Sequence, residues 1–140
     1  MRTRVSNDKD QIFCEWRHRW VRLTPEEWVR QQLLHYMAEQ LDYPSSRIAV
    51  EQAITVGDCK KRCDAVVYDV ALQPIMIIEC KAETVPLTQK TLDQAITYNR
   101  KLNVPYLFLY NGVQAIFVNG NNIHPSGLPR YTDLLRCEQQ

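Results

Sequence analysis

The clearest signal in this sequence lies in residues 74–81, which read Pro-Ile-Met-Ile-Ile-Glu-Cys-Lys. Apolar side chains fill positions 75–78 without interruption, so a strand formed here would be apolar on both faces. Such a strand is typical of the middle of a sheet that is covered on both sides. Because strand side chains alternate, Glu79 and Lys81 share one face at the charged end of the segment, and Ile78 and Cys80 share the other.

The segments on either side predict the rest of the sheet. Runs rich in Val and Ile predict strands at 47–55 and 62–70, and 62–70 should pair with 74–81 as an antiparallel hairpin. A helix is predicted at 88–102, with an inner stripe of Leu92, Ala95, Ile96, Asn99 and Leu102. Two further strands, 105–110 and 113–118, are joined by the hairpin signal Asn111-Gly112. The helix crosses between the third and fourth strands, which should therefore be parallel.

A first helix precedes these strands and gives the order α-β-β-β-α-β-β. Thr24 can cap it, Pro25 suits its first position, and Glu27 stands where a capping box needs a glutamate. Its apolar residues at helical spacing are Trp28, Val29, Leu33, Tyr36, Met37 and Leu41. We expect a mixed α/β fold, with a central mixed sheet flanked by helices. We expect a basic N-terminal arm at 1–22, the main domain at 23–120 and a loose tail at 121–140.

Composition excludes several classes of protein. The chain has 140 residues and a formal net charge of +1, which fits one globular domain and gives no bulk argument for nucleic acid. No run of eighteen apolar residues and no secretory signal occur, so we expect no membrane association. Five cysteines without such a signal indicate reduced thiols and a cytoplasmic location. No Gly-rich phosphate loop is found, so we expect no ATP-driven activity.

Charged residues stand where buried strands are predicted. Asp64 begins an apolar strand beside Glu79 and Lys81, and ionised carboxylates at such places are costly unless they are paired or bound to metal. Paired carboxylates hold Mg²⁺ or Mn²⁺, and the main-chain carbonyl of Cys80 offers a further oxygen ligand. Lys81 could orient an attacking water or offset charge on a phosphate. The alternative is a buried ion pair that only joins two strands.

These residues resemble the motif of the PD-(D/E)XK nuclease superfamily. Fourteen residues separate Asp64 from Glu79-Cys80-Lys81, although Cys63 stands where the motif has proline. On the next helix, Gln94 and Tyr98 resemble the Gln-x-x-x-Tyr motif of the RecB-like branch. The resemblance implies a restriction-endonuclease-like core and a role for Gln94 and Tyr98 in orienting ligands or the scissile phosphate.

The stretch from about residue 13 to residue 118 resembles, more closely, the N-terminal nuclease domain of type I restriction enzyme R subunits. The segments that carry the resemblance begin at Leu23, Lys61, Ile78, Asp93 and Val104. It implies metal-dependent DNA hydrolysis, with Asp64 and Glu79 as metal ligands. A glutamate of the first helix often joins such a site, and Glu27 is the candidate, with Glu26 as its rival and Glu51 as a weaker one.

Basic residues next to the predicted site suggest contacts with the DNA backbone. Lys60, Lys61 and Arg62 lead directly into Asp64 and could position phosphates, although a solvated turn is the alternative. A second set, Arg17, Arg19 and Arg22 with Trp16 and Trp20, could clamp a strand, or the tryptophans could pack on the core. The rival function is a DNA-binding accessory module with little cleavage. A homodimer or a larger restriction or repair complex is a possible setting.

Overall fold

The computed structural model describes residues 1–124 and 127–138. In this part of the chain nine strands, three α-helices and one 3₁₀ turn follow one another. In chain order they are β1 (Thr3–Ser6), β2 (Lys9–Cys14), β3 (Arg19–Arg22), α1 (Pro25–Gln40), the 3₁₀ turn (Ser45–Arg47), β4 (Ile48–Val56), β5 (Cys59–Tyr68), β6 (Pro74–Cys80), α2 (Gln89–Leu102), β7 (Tyr106–Tyr110), β8 (Ala115–Asn119), β9 (Asn122–His124) and α3 (Tyr131–Glu138).

Strand β6 lies inside a six-stranded mixed sheet of order β4-β5-β6-β7-β8-β9. It pairs antiparallel with β5 and parallel with β7, so the predicted hairpin and the predicted crossover are both confirmed. Residues 75–78 are fully buried, as their apolar run indicates. The predicted strand at 62–70 is shifted, since β5 begins at Cys59 and ends at Tyr68.

Two core layers enclose this sheet. Side chains of α1 and α3, including Leu34 and Leu134, share one cluster with one face of the sheet. Side chains of α2, including Leu92 and Leu102, share a second cluster with the opposite face. The prediction of a mixed α/β fold with helices on both faces is confirmed.

Helix α1 begins as predicted but buries a different set of residues. The Thr24 hydroxyl accepts a hydrogen bond from the main-chain N–H of Glu27, and Pro25 occupies the first turn. Trp28 and Tyr36, which the apolar periodicity placed inside, are exposed. The buried face instead includes Glu27 and Arg30, because these two charges pair with each other.

The turn between β7 and β8 is longer than the predicted two-residue hairpin. Gly112 takes a positive φ of 91°, whereas Asn111 does not. The Asn111 side chain instead accepts hydrogen bonds from the main-chain N–H groups of Val113 and Gln114. Asparagine therefore shapes this loop through its carbonyl oxygen rather than through its backbone conformation.

Both terminal segments carry regular structure that the sequence analysis did not anticipate. Strands β1, β2 and β3 form an antiparallel sheet within the predicted arm. In the predicted tail, β9 extends the main sheet and α3 buries Tyr131 and Leu134 in the core. The boundaries at 22 and 120 stay predictions, but neither segment is a simple extension. Residues 125, 126, 139 and 140, which include part of the predicted loose tail, and the side chain of Cys137 lie outside the described residues.

Within the described residues, no helix is both long enough and apolar enough to cross a membrane.

Candidate active site

The hydrogen-bond ladder between β5 and β6 opens at the predicted site. Its last pair is Ala65 with Ile78, so Asp64 and Glu79 stand one position beyond the ladder and opposite each other. Asp64 Oδ2 accepts a hydrogen bond of 2.7 Å from the main-chain N–H of Cys80. A side-chain oxygen thus enters the gap between the strands, and this brings the two carboxylates together as the sequence predicted.

The regular alternation of β5 breaks at Asp64. Cys63 packs in the core layer of α2, whereas Ala65 packs in the layer of α1, although residues two apart share a face in an unbroken strand. Opposite this point on β4, Glu51 has a φ of 53°, which a residue other than glycine seldom adopts. The register between β4 and β5 skips both Glu51 and Asp64. Because of this break, the side chains of Lys61 and Cys63 lie on the side of the sheet that faces α2.

The carboxylates of Asp64 and Glu79 form the carboxylate pair, in which the ionisation of Glu79 is disfavoured. Burial raises the pKa of Glu79 to about 7, and the charge of Asp64 adds to this rise. Lys61 acts in the opposite direction, since its Nζ lies 3.0 Å from Glu79 Oε1. This contact is an ion pair without good hydrogen-bond geometry, because Oε1 is buried and no described group donates a well-aligned bond to it. Lys61 therefore offsets only part of the rise.

This pKa predicts that Glu79 destabilises the metal-free protein at alkaline pH. The folded-state pKa of about 7 lies above the ordinary value of 4.5, so stability falls as pH rises between these values. We expect Glu79→Gln to increase the free energy of unfolding by about 1–2 kcal/mol at pH 8 in EDTA, with loss of the Lys61 ion pair limiting the gain. The gain should shrink towards zero as the pH falls to about 4.5. Urea unfolding at both ends of this range measures it.

Glu83→Gln provides the control for this prediction, because Glu83 is an exposed glutamate three residues after Cys80. Its substitution should leave the stability unchanged at either pH. If the Glu79→Gln protein is no more stable at pH 8 than this control, the raised pKa of Glu79 is contradicted.

Helix α2 forms the other wall of the site. A cavity of about 130 Å³ separates it from the sheet and is lined by Lys61, Glu79, Lys81, Leu87, Thr91, Gln94, Ala95, Tyr98 and Leu109. The prediction that Glu79 and Lys81 share a face is confirmed, and Gln94 and Tyr98 meet them there. Lys61 Nζ lies 5.2 Å from the centre of the Tyr98 ring. The Lys81 ammonium forms no salt bridge with any residue that the structure describes.

The three basic residues before Asp64 separate into two groups. Lys61 faces the site and pairs with Glu79. Lys60 and Arg62 are exposed on the opposite side of β5, and Arg62 Nη2 lies 3.3 Å from Glu51 Oε2. As candidates for phosphate contact, Lys60 and Arg62 therefore lie on the outer side of the strand, and Lys61 lies within the site itself.

Glu27 belongs to a neighbouring charged group, the arginine cluster of Arg17, Glu27, Arg30 and Glu51. The Glu27 Oε1 atom lies 2.6 Å from Nη2 of Arg17 and 2.6 Å from Nη2 of Arg30, and Oε2 accepts bonds from Arg30 and Gln31. Burial acts to raise the pKa of Glu27, but the bonds from Arg30 and Arg17 outweigh it and lower the pKa. The carboxylate is thus ionised and fully occupied within this cluster. Glu26, its rival, is exposed.

Arg30 connects this cluster to the carboxylate pair. Its Nη1 lies 3.5 Å from Asp64 Oδ1 and 3.5 Å from the main-chain oxygen of Asp64, and its Nη2 lies 3.5 Å from Glu51 Oε1. The sequence did not predict the contact of Arg30 with Asp64 or the buried position of Arg17. Arg30 does stand three residues after Glu27, and that spacing is the one signal of their pairing in the sequence.

The donor set of the site fits a hard divalent cation. Two adjacent carboxylates and the Cys80 carbonyl are all oxygen ligands, which Mg²⁺ and Mn²⁺ prefer. Among the described residues, no group of three or more His, Cys, Asp or Glu side chains is arranged to hold a metal ion. The side chains would therefore supply two ligands to such a cation, and main-chain oxygen or water would complete the set. Such a set is usual for Mg²⁺, which keeps several of its waters.

Comparison with protein families identifies the chain. The family described as Type I restriction enzyme R protein N terminus matches residues 25–128, which is most of the chain. The chain belongs to this family. The resemblance inferred from the sequence is therefore confirmed, and the family match includes α1, the carboxylate pair and α2. A comparison with curated proteins finds no match.

Solved structures share the fold of this R-protein N-terminal domain. One is a fragment assigned as an HsdR subunit of a type I restriction enzyme from Vibrio vulnificus YJ016, with TM-score 0.62, 17% identity and coverage of 81% of this chain and 25% of that one. A DrdV–DNA complex has TM-score 0.55 and 15% identity, and the match covers 81% of this chain and 12% of that one. A protein assigned as a nuclease, from Anabaena variabilis ATCC 29413, has TM-score 0.50 and 11% identity, and the match covers 83% of this chain and 75% of that one. The chain spans a quarter or less of the first two structures, and at these identities the likeness shows the fold alone.

Proposed function

We propose that this domain hydrolyses DNA phosphodiester bonds with Mg²⁺ or Mn²⁺ held by Asp64, Glu79 and the Cys80 carbonyl. The observation that carries the proposal is the carboxylate pair at the open end of the β5–β6 ladder. Burial and the neighbouring charge of Asp64 raise the pKa of Glu79, and groups with such shifted pKa values concentrate at functional sites. Membership of the family and the nuclease-like fold support the same chemistry.

The chain's own residues divide the work of hydrolysis. When bound, the cation supplies Lewis-acid stabilisation of the charge that develops on the phosphate. Lys81 has no competing salt bridge among the described residues, and it positions the attacking water or neutralises the phosphate. Gln94 and Tyr98 orient the substrate from α2. Water adds to phosphorus and one P–O ester bond breaks, which leaves a phosphomonoester and an alcohol.

Glu27 and Arg30 act as positioning residues in this proposal. Glu27 is held by two arginines, so its carboxylate is not free to take a metal ion without releasing them. Arg30 fixes the orientation of Asp64 from behind. We therefore propose that Glu27, expected to join the metal site, supports it through Arg30.

The proposed setting of the activity follows from the family. Substrate contacts run through the phosphate backbone, with Lys60 and Arg62 as exposed cations on the outer side of β5 and Lys61 within the site. The structural relative DrdV is solved in complex with DNA, which supports DNA as the substrate. ATP takes no part in the chemistry of this domain, and we propose that it works in the cytoplasm, in a homodimer or within a larger restriction or repair complex.

A DNA-binding accessory module with little cleavage is the second candidate. One observation favours it: cations already lie close to both carboxylates, with Lys61 at 3.0 Å from Glu79 and Arg30 at 3.5 Å from Asp64. A pair neutralised in this way has less need of a metal ion. The two functions differ in whether the metal displaces these cations.

Binding of Mn²⁺ tests the metal site without requiring activity. We expect Mn²⁺ to raise the melting temperature, since a ligand at 100 times its Kd adds about 2.7 kcal/mol to the free energy of unfolding. Asp64→Asn should abolish the rise, because it removes one of two carboxylate ligands. Asp58→Asn, at an exposed turn aspartate in the β4–β5 hairpin, should retain it. Equal responses of the two variants would assign the Mn²⁺ effect to another part of the chain.

A further inference from the structure

The outward face of the N-terminal sheet carries cations and aromatic rings. Residues directly opposite each other in antiparallel strands share a face, and the register pairs Arg4 with Gln11, Ser6 with Lys9, Phe13 with Trp20, and Gln11 with Arg22. Arg2 joins them through its main-chain oxygen, which accepts a hydrogen bond from the N–H of Phe13. We call this the basic face: Arg2, Arg4, Lys9, Phe13, Trp20 and Arg22. The opposite face contains Ile12 and Cys14, which are fully buried.

Aromatic rings hold two of the guanidinium groups in place. The Arg2 guanidinium lies 4.0 Å from the centre of the Phe13 ring, and that of Arg4 lies 4.2 Å from the centre of the Trp20 ring. The two rings meet edge to face at 5.5 Å. Arg4 also donates from Nε to Gln11 Oε1 at 2.7 Å, which leaves both its Nη groups without a hydrogen bond to any described residue. These arginines are fixed but still have donors to offer.

Negative charge is excluded from this face. No aspartate or glutamate of β1, β2 or β3 lies on it, because Asp10 pairs with Val5 on the opposite face. Residues 1–22 contain six Lys or Arg and three Asp or Glu, while the other residues carry a net negative charge. The positive charge of this near-neutral chain is thus concentrated in the N-terminal segment, and all four cations of the basic face are exposed. Such a face complements a polyanion.

We propose that the basic face binds the phosphate backbone of DNA and adds affinity at a place separate from the carboxylate pair. This inference rests on the proposed function for the identity of the polyanion. Guanidinium forks bind phosphate through two parallel hydrogen bonds, and stacking on a ring reduces the freedom they lose on binding. Because Arg2 and Arg4 lie over the rings, the face offers donors to phosphates rather than bare rings to bases.

This assignment replaces the clamp suggested by the sequence. Arg17 is buried against Glu27, and Trp16 packs against the core and His35, so neither is free for DNA. Arg19 lies opposite Cys14 on the other face, so only Arg22 and Trp20 of that set remain. Arg2, Arg4, Lys9 and Phe13 join them. The basic face also precedes residue 25, where the family match begins, so the family match does not include it.

The salt dependence of DNA binding tests the proposal. Fluorescence anisotropy of a labelled 20-base-pair duplex, in EDTA so that no metal-dependent cleavage occurs, gives the slope of log K against log salt concentration. Each phosphate contact contributes about 0.9 to this slope, so Arg2→Ala with Arg4→Ala should reduce it by about 2 and weaken binding about tenfold or more at low salt. Arg2→Lys with Arg4→Lys should keep most of the slope, because it keeps the charge.

Matched controls separate this effect from lost charge and from lost structure. Lys101→Ala with Arg136→Ala removes two exposed cations near the ends of α2 and α3 and should leave the slope unchanged. Lys9→Ala with Arg22→Ala removes two cations of the basic face for which the structure gives no ring contact. If the variant with alanine at positions 2 and 4 fails to fold, this variant provides the same test and should show a similar loss of slope. Equal slopes in the basic-face and control variants would overturn the proposal. So would basic-face substitutions that weaken the binding of polyglutamate but leave the binding of DNA unchanged.

Because these measurements are made without metal, they report on DNA binding and not on cleavage. If the domain proves to have no nuclease activity, these binding measurements still test the basic face. If the wild-type protein cleaves DNA but the basic-face substitutions leave the slope unchanged, this inference is rejected and the proposed function is retained.

Discussion

Replacing Lys81 with methionine should lower the rate of plasmid nicking by about 10²–10³-fold, the usual loss when one charge-stabilising donor is removed from an active site. Lys81 lines the cavity with Glu79 and pairs with no carboxylate among the described residues. Its ammonium is therefore available to a phosphate or to water. Nicking of supercoiled plasmid at saturating Mg²⁺ measures the effect, and the Mn²⁺-induced rise in melting temperature should persist in the variant.

Two other lysines sharpen this test. Lys101→Met, at an exposed lysine near the end of α2, should keep full activity. Lys61→Met removes the cation that lowers the pKa of Glu79, so the pH dependence of its nicking rate should move to higher pH. Its maximal rate should fall less than that of Lys81→Met. Lys81→Met that retains more than a tenth of the wild-type rate, or Lys61→Met that loses as much as Lys81→Met, would show that the roles of the two lysines are wrongly assigned.

Replacing Arg30 with alanine should have the largest effect on stability. Arg30 is 7% exposed and contacts Glu27, Glu51 and Asp64, so its loss removes one of the two arginines that pair with the buried Glu27 carboxylate. Breaking one side of a buried ion pair typically costs about 3–5 kcal/mol, and Arg17 still pairs with Glu27, so we expect about 3 kcal/mol. Urea unfolding at pH 7 gives the value from the shift in midpoint at constant slope.

Arg62→Ala is the matched control for that experiment. Arg62 also contacts Glu51, but 70% of its side chain is exposed, and exposed ion pairs contribute at most about 1 kcal/mol. If the two variants lose the same small amount of stability, the arginine cluster is a surface feature and does not support the site.

The predictable part of the fold came from residues whose local pattern agrees with their final environment. The apolar run at 75–78 is buried on both faces, so its composition alone indicates a central strand. The N-terminal sheet gave no comparable signal, because its strands are short and contain few buried apolar residues. Asn7 and Asp8 do both take positive φ, as a tight hairpin turn requires, but the pair is a weaker signal than Asn-Gly.

The predictable part of the site was limited in the same way. Alternation placed Glu79 with Lys81 and put Gln94 and Tyr98 on one helix face, because these relations depend on short spacings. Arg30 and Asp64 are 34 positions apart, and only the packing of α1 against the sheet brings them together. The distinction between Lys61 and its neighbours depends on the break at Asp64, opposite which Glu51 takes a left-handed conformation. No regular spacing encodes that conformation.

In the proposed function, Asp64 and Glu79 hold a metal ion that is used to cut DNA. Incubation of supercoiled plasmid with the wild-type protein and with Asp64→Ala, each in Mg²⁺, Mn²⁺ or EDTA, tests this role. We expect nicked plasmid only with the wild-type protein and only with a divalent cation, while Asp64→Ala still binds DNA in EDTA. Cleavage that is equal in wild type and Asp64→Ala, or intact plasmid in every lane although the protein binds both Mn²⁺ and DNA, would contradict it.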